Sequence, residues 1–286
     1  FGKSAGLVQV EELGTLETPI ALTNTLNVGK VWDAMVDIVV EQCEQDGLEP
    51  MSINPVVGEC NDSRINQIQK RVVGADEVRQ AFASASEEFE EGDVGAGAGT
   101  ICYGLKGGIG SASRVIRIGE KEYTIGVLVQ SNFGATEDFV LNGESVGAKI
   151  LDWKQEKDDM AASEEDKGSI MSILATDLPL TSRQLRRILR RTGVGIARTG
   201  GYTGHGSGEV MIGFTTANRI PSGAEEELLQ IQAIPEHVIN RAFLAAAEAE
   251  QEAILNSMTA AERTRGQAGE LYYSLSEYLE DQDSKQ

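Results

Sequence analysis

Lys167-Gly168-Ser169-Ile170-Met171-Ser172-Ile173-Leu174-Ala175-Thr176 is the stretch on which the reading turns. Its last eight residues are apolar enough to form a central strand. The segment before it, Asp152 to Lys167, carries seven acids and almost no aliphatic residues, the composition of a linker. After the strand, Thr181 can cap a helix with Leu185, Ile188 and Leu189 as its apolar stripe and Gly193 as its end. The other face of that helix is Arg183, Arg186, Arg187, Arg190 and Arg191, which we expect to pair with acids across an interface or on the C-terminal helix. A further strand is expected over Val210–Thr216 and a long Ala/Glu-rich helix over Glu236–Ser257. A shorter helix is expected to start near Ala260.

Toward the N-terminus, Val31, Met35, Ile38 and Val39 recur at helical spacing, which predicts a helix over Val28–Gln45. Pro55–Glu59 reads as a buried strand, and Ala75–Glu91 as a helix with Val78, Ala81 and Phe82 turned inward. Glycine dominates from Gly92 to Gly110. Two strands, Ser113–Ile118 and Tyr123–Gln130, then form a hairpin around Gly119-Glu120-Lys121. Helices bracket strands in both halves without regular βαβ alternation, which predicts a layered α/β or α+β sandwich.

The 286 residues suffice for a full core, as one large domain or two small ones. A net charge of −20, from 45 acidic and 25 basic residues, repels nucleic acid and anionic membrane surfaces, so neither is an expected partner. Solubility explains the acidity, and a cationic substrate such as a free amine would also be attracted. No run approaches the roughly 20 apolar residues of a membrane span. The start, Phe1-Gly2-Lys3-Ser4, carries no signal-peptide pattern and no initiator Met. Cys43, Cys60 and Cys102 are odd in number and widely spaced, so small apolar packing is expected rather than disulfides or a zinc site. The cytoplasm is the expected compartment, and neither metal nor cofactor is expected.

The glycine run is not a nucleotide site. A P-loop needs Gly-x4-Gly-Lys-Ser/Thr, whereas Leu105 follows Gly104 and Gly107 follows Lys106. Gly95 follows a helix and precedes strands, the reverse of a dinucleotide fingerprint. Tight turns and close backbone approach account for the glycines better. A Ser-His-Asp triad would have to use His205 or His237, and no nucleophile elbow accompanies either.

The Gly168-Ser169 junction offers another chemistry. Cutting that bond gives Ser169 a free α-amine beside its own hydroxyl. Such an amine has an unperturbed pKa of about 7.7–8.0, so part of it is neutral near pH 7 and can deprotonate the hydroxyl. Glycine before the serine leaves room for the hydroxyl to attack its own preceding carbonyl. A Gly-Ser pair also simply opens many strands, so the residues alone leave both readings open.

Seven blocks then carry a family likeness: Asn24-Thr25, Pro55–Glu59, Gly97–Thr100, Lys106–Arg114, Gly126–Gly134, Gly168–Leu180 and Ala197–Glu209. In this order they resemble the DmpA-like aminopeptidases, which include the L-aminopeptidase/D-esterases and the β-peptidyl aminopeptidases. The resemblance implies an αββα layered sandwich of the DmpA/ornithine acetyltransferase type. It implies one domain over residues 1–286 that cuts itself into 1–168 and 169–286. The fragments stay together and assemble further as a homo-oligomer of heterodimers.

The implied activity is release of N-terminal amino acids from short peptides, amides or esters bearing a free amine, through an acyl-enzyme on Ser169. Asn132 matches the oxyanion-binding amide, and Ser207 and Glu209 match the residues that orient nucleophile and amine. Glu59 matches a binder of the substrate's amino group. Without the likeness, Asn132 would also suit a turn, and Ser207 and Glu209 a loop and an edge strand. Two other activities stay open: acyl transfer of the ornithine acetyltransferase type, against which the Ser argues, and an inactive, truncated assembly subunit. Family members usually carry a further segment ahead of the block matching Gly2–Leu22, and loss of its strands would expose sheet edge.

Overall fold

The computed structural model describes residues 2–157, 168–221 and 227–285. In chain order, helix α1 (Leu7–Leu13) leads to strand β1 (Ile20–Asn24), helix α2 (Val28–Gln45), strand β2 (Val56–Cys60) and helix α3 (Ala75–Ser84). The hairpin of β3 (Gly108–Ile118) and β4 (Lys121–Asn132) follows, then helix α4 (Gly147–Glu156), strand β5 (Ser169–Thr176), and helices α5 (Ser182–Leu189) and α6 (Thr192–Arg198). Strand β6 (Gly208–Thr215), the long helix α7 (Asn240–Thr259) and helix α8 (Leu275–Ser284) complete it.

The main sheet has the order β6-β5-β4-β3, with β5–β6 parallel and the other pairs antiparallel. Strand alternation sends Ile170, Ser172 and Leu174 of β5 to one face, together with Ile125, Val127 and Val129 of β4. Ala242, Ala246, Ala249 and Ala253 of α7 join that core, with Ile188 of α5 and Ile196 of α6. Met171 and Ile173 go to the other face, in a cluster with Val56 and Cys60 of β2 and Ile20 and Leu22 of β1. There β1 and β2 pair in parallel as a second, two-stranded layer. Val57 turns outward from it onto Val31, Met35 and Ile38 of α2 and Val78 of α3. The layers are therefore helix, sheet, sheet, helix, the expected αββα sandwich. Because β5 is covered on both faces, its sequence is continuously apolar rather than alternating.

Several boundaries differ from expectation. α3 stops at Ser84 because only Val78 is buried; Ala81 and Phe82 are exposed and hold nothing against the core. β3 starts five residues early, at Gly108, inside the run read as turns. A Cβ on Gly110 would lie 2.1 Å from the carbonyl oxygen of Ala253, so glycine there lets α7 close on the sheet. Thr181 caps α5 through a reciprocal box with Gln184, but Gly193 lies within α6 rather than ending a helix. The short helix expected near Ala260 begins at Leu275, where Ser274 and Glu277 form a capping box that the sequence reading passed over. The acidic linker is shorter than read: Ile150 and Trp153 are buried and anchor α4 through Glu156. The rest of it, 158–167, lies outside the described residues. The arginine face does find its acid, since Arg183 and Arg187 both pair with Glu236 just ahead of α7. Cys60 and Cys102 are buried thiols and Cys43 is a half-buried one.

Glu250 of α7 is fully buried against β5, where its Oε1 accepts from Ser172 Oγ at 2.5 Å. Burial pushes its carboxyl up to about 8, against the opposing Ser172 hydrogen bond. The folded state thus holds a proton that the unfolded chain gives up near the ordinary carboxylate range. Stability is expected to fall as pH rises from about 4.5 toward 8 and to level off above. Urea unfolding across that window should give a smaller slope for Glu250→Gln, which stays neutral throughout; equal slopes would refute the assignment.

Candidate active site

Three strand ends meet at one edge of the main sheet. Asn132 ends β4, Ser169 opens β5 and Gly208 opens β6. The antiparallel register sets Asn132 opposite Ser169, and the parallel register sets Gly208 beside it. Asn132 and Ser169 share the face that looks toward the β1/β2 layer. Both are buried, and they line one pocket of about 260 Å³ together with Gly168, Phe133, Ile101 and Glu59.

Each wall has a local cause. Ser169 Oγ donates to the carbonyl oxygen of Gly168 at 2.8 Å, and Gly208 N–H donates to that same oxygen at 3.1 Å. A Cβ at position 168 would lie 1.9 Å from Asn132 O and 2.6 Å from Phe133 Cα, so only glycine passes there. Asn132 is held at both ends of its amide: Oδ1 accepts from Ile101 N–H at 3.0 Å, and Nδ2 donates to Asn61 O at 3.1 Å. An amide nitrogen carries two hydrogens, so one remains for the pocket. Glu59, buried in β2, accepts a short hydrogen bond from Thr25 Oγ1. Its neighbour Asp62 is also buried, and burial raises its carboxyl above the usual range despite donors from Asn24 and Asn66.

Ser207 and Glu209 flank Gly208 on β6 and do not line the pocket. Glu209 pairs with Ile170 and so lies on the helix-facing side, opposite to the Ser169 hydroxyl. They stand one residue either side of the position that faces the Ser169 backbone. Ser207 Oγ and Glu209 Oε1 are both buried without a hydrogen-bond partner among the described residues. Neither histidine lines the pocket; His205 and His237 are exposed. Among the described residues no three His, Cys, Asp or Glu side chains converge as a metal site requires, and no helix is long and apolar enough to cross a membrane.

Sequence reasoning missed several participants. Thr25 and Ile101 were not singled out, although Asn24-Thr25 and Gly97–Thr100 were marked. Asn61 and Ile101 act through backbone atoms, which leave no trace in residue type.

The profile of Peptidase family S58 matches residues 1–272. The chain belongs to this family. It is 36% identical over 273 residues to the β-peptidyl aminopeptidase BapA of Sphingosinicella xenopeptidilytica, covering 93% of this chain and 68% of that one. To the BapA of Sphingosinicella microcystinivorans it is 35% identical over 277 residues, covering 94% and 69%. Among solved structures, the PH0078 protein of Pyrococcus horikoshii OT3 superposes with a TM-score of 0.87 at 46% identity, covering 97% of this chain and 76% of that one. A β-aminopeptidase from Burkholderia sp. superposes at 0.86 with 34% identity, covering 97% and 76%. The L-aminopeptidase D-Ala-esterase/amidase of Ochrobactrum anthropi superposes at 0.82 with 34% identity, covering 91% and 71%; it is a serine aminopeptidase with a variant of the N-terminal-nucleophile hydrolase fold. The chain is thus a serine aminopeptidase of the N-terminal-nucleophile class, with the mixed α/β fold of that group.

Gly168→Ala is expected to push β5 away from β4 and misplace Ser169. A displacement near 1 Å at a reacting atom costs about 100-fold in rate. Aminopeptidase activity should fall by at least that order, while far-UV dichroism stays that of the folded protein. Full activity in the variant would show that the strands open freely at this point.

Proposed function

We propose that this enzyme cuts its own chain between Gly168 and Ser169 and then releases N-terminal residues from short peptides, amides or esters through an acyl-enzyme on Ser169. One observation carries the reading: the Ser169 hydroxyl rests on the carbonyl group of the bond it would break, at 2.8 Å from the oxygen. A second donor, Gly208 N–H, lies on that oxygen at 3.1 Å, where negative charge would gather during attack.

Self-cleavage then runs as an acyl shift. Ser169 Oγ bonds to the Gly168 carbonyl carbon, and the bond to the Ser169 nitrogen breaks. The hydroxyl proton ends on the departing amine. Water hydrolyses the resulting ester, leaving a carboxylate on Gly168 and a free hydroxyl on Ser169. The products are fragments 1–168 and 169–286, which stay together because β4 and β5 remain paired in the sheet.

The new α-amine serves as base in turnover. In its neutral form it takes the Ser169 proton as Oγ attacks the substrate carbonyl. Asn132 Nδ2 donates its remaining hydrogen to the oxyanion, an interaction worth about 2.7–4 kcal/mol in comparable sites. The unpartnered oxygens of Ser207 and Glu209 supply acceptors for the amine once it exists. Glu59, which lines the same pocket as Ser169, receives the free amino group that defines an aminopeptidase substrate. Several relatives are β-aminopeptidases by name, so β-aminoacyl amides belong in the substrate panel beside α-aminoacyl amides and esters.

Intact mass under denaturing conditions should give two species that meet at Gly168/Ser169. Ser169→Ala should give one uncut chain without hydrolysis; turnover by that variant would rule the mechanism out. Asn132→Ala is expected to lower kcat by about 100- to 1000-fold. An uncut wild-type chain that fails to react with a serine-directed probe would overturn the reading.

A further inference from the structure

Lys106 is fully buried, yet it belongs to no part of the catalytic scheme above. Its Nζ donates to the carbonyl oxygens of Gly97 at 2.8 Å, Thr100 at 3.1 Å and Gly107 at 2.7 Å. An ammonium carries three hydrogens, and all three are used on backbone. Burial pulls its pKa down to about 8, with Asp93 and Cys102 opposing the shift. A charge kept in that environment needs each of its acceptors.

The middle acceptor matters most. The peptide unit joining Thr100 to Ile101 presents its oxygen to Lys106 and its N–H to Asn132 Oδ1 at 3.0 Å. That unit is planar, with oxygen and hydrogen on opposite sides, so fixing the one aims the other. The contact to Oδ1 also decides which end of the Asn132 amide is which. With Oδ1 held by Ile101, Nδ2 is the end left for the pocket. A flipped amide would offer an oxygen to the oxyanion and repel it. The surrounding loop has no slack. Gly107 N–H returns to Thr100 O at 3.0 Å, and a Cβ on Gly107 would lie 2.4 Å from Ser131 O.

We propose that Lys106 is a positioning residue, which orients the Asn132 amide through the Thr100–Ile101 peptide. The inference rests on Asn132 being the oxyanion donor. The glycine-rich run with its late lysine, which resembled a failed phosphate loop, is on this reading a cage that aims an amide.

A double-mutant cycle tests it, using Lys106→Met, Asn132→Ala and both together. Activity toward an aminoacyl amide is normalised to the cleaved fraction found by mass. Lys106→Met alone should lower kcat about 10- to 100-fold with KM little changed, less than outright removal of a donor. In the Asn132→Ala background the same substitution should cost less than about 3-fold, because the amide it orients is gone. Additive losses, or a loss carried by KM, would overturn the proposal. An Asn132→Ala enzyme with undiminished kcat would instead refute the oxyanion assignment itself, a separate outcome. Lys106→Gln, which keeps a donor on a shorter stem, takes the same place in the cycle if Lys106→Met gives no folded protein. Loss of folding in both would also overturn it, by making Lys106 a folding residue alone.

Discussion

The register of three strands at one sheet edge, where Asn132, Ser169 and Gly208 stand side by side, carries the rest of the site. Neither neighbouring strand can slip by one residue, since that would send its side chains to the wrong face of a sheet buried on both sides. The close contact at Gly168 enforces the same alignment from the backbone. Any side chain there would collide with Asn132 and Phe133. The position of Ser169 is thus set by packing that extends far from the pocket, down to Leu174 under α7 and Met171 under the β1/β2 layer.

That dependence explains what the sequence disclosed. β5 is legible to the residue, Ser169 to Thr176, because a doubly covered strand has to be apolar throughout and an acidic segment ending in Gly168 precedes it. α2 was legible because one face alone is buried and the 3.6-residue period survives. The start of β3 was not, because Gly108 and Gly110 belong to a strand for a reason that lies in another element, the backbone of α7. α3 ends earlier than the spacing predicts because Phe82, expected to face inward, is exposed and meets no partner surface among the described residues. In the site, Ser169 is named by chemistry and family likeness together, and Asn132 by likeness alone. The Ile101 and Gly208 N–H groups carry no residue signature, so only the folded backbone reveals them.

Charge is distributed with the same economy. The chain is strongly acidic overall, and its surface arginines meet surface acids such as Glu236 in exposed pairs that contribute little individually. The informative charges are inside. Glu250 is buried against a serine and holds its proton, whereas Lys106 is buried against three carbonyls and keeps a charge to about pH 8. Such groups cost stability relative to apolar residues of the same volume. Glu250 sits under β5, and Lys106 under the loop that carries Thr100 and Ile101, where a specific backbone geometry is worth that cost.

The unpaired oxygens of Ser207 and Glu209 extend this argument to maturation. A buried polar atom without a partner costs about 1–3 kcal/mol. Two such atoms flank the residue beside the Ser169 backbone, and while the Gly168–Ser169 bond is intact its nitrogen is a planar amide with a single hydrogen. On the proposed cleavage, that nitrogen becomes an amine with up to three hydrogens, free to turn toward the helix-facing side where Glu209 lies. The uncut site would then hold an excess of acceptors and the cut site the donors that match them. Breaking the bond would relieve a strain already present in the fold, and the same two oxygens would afterwards hold the catalytic base in place.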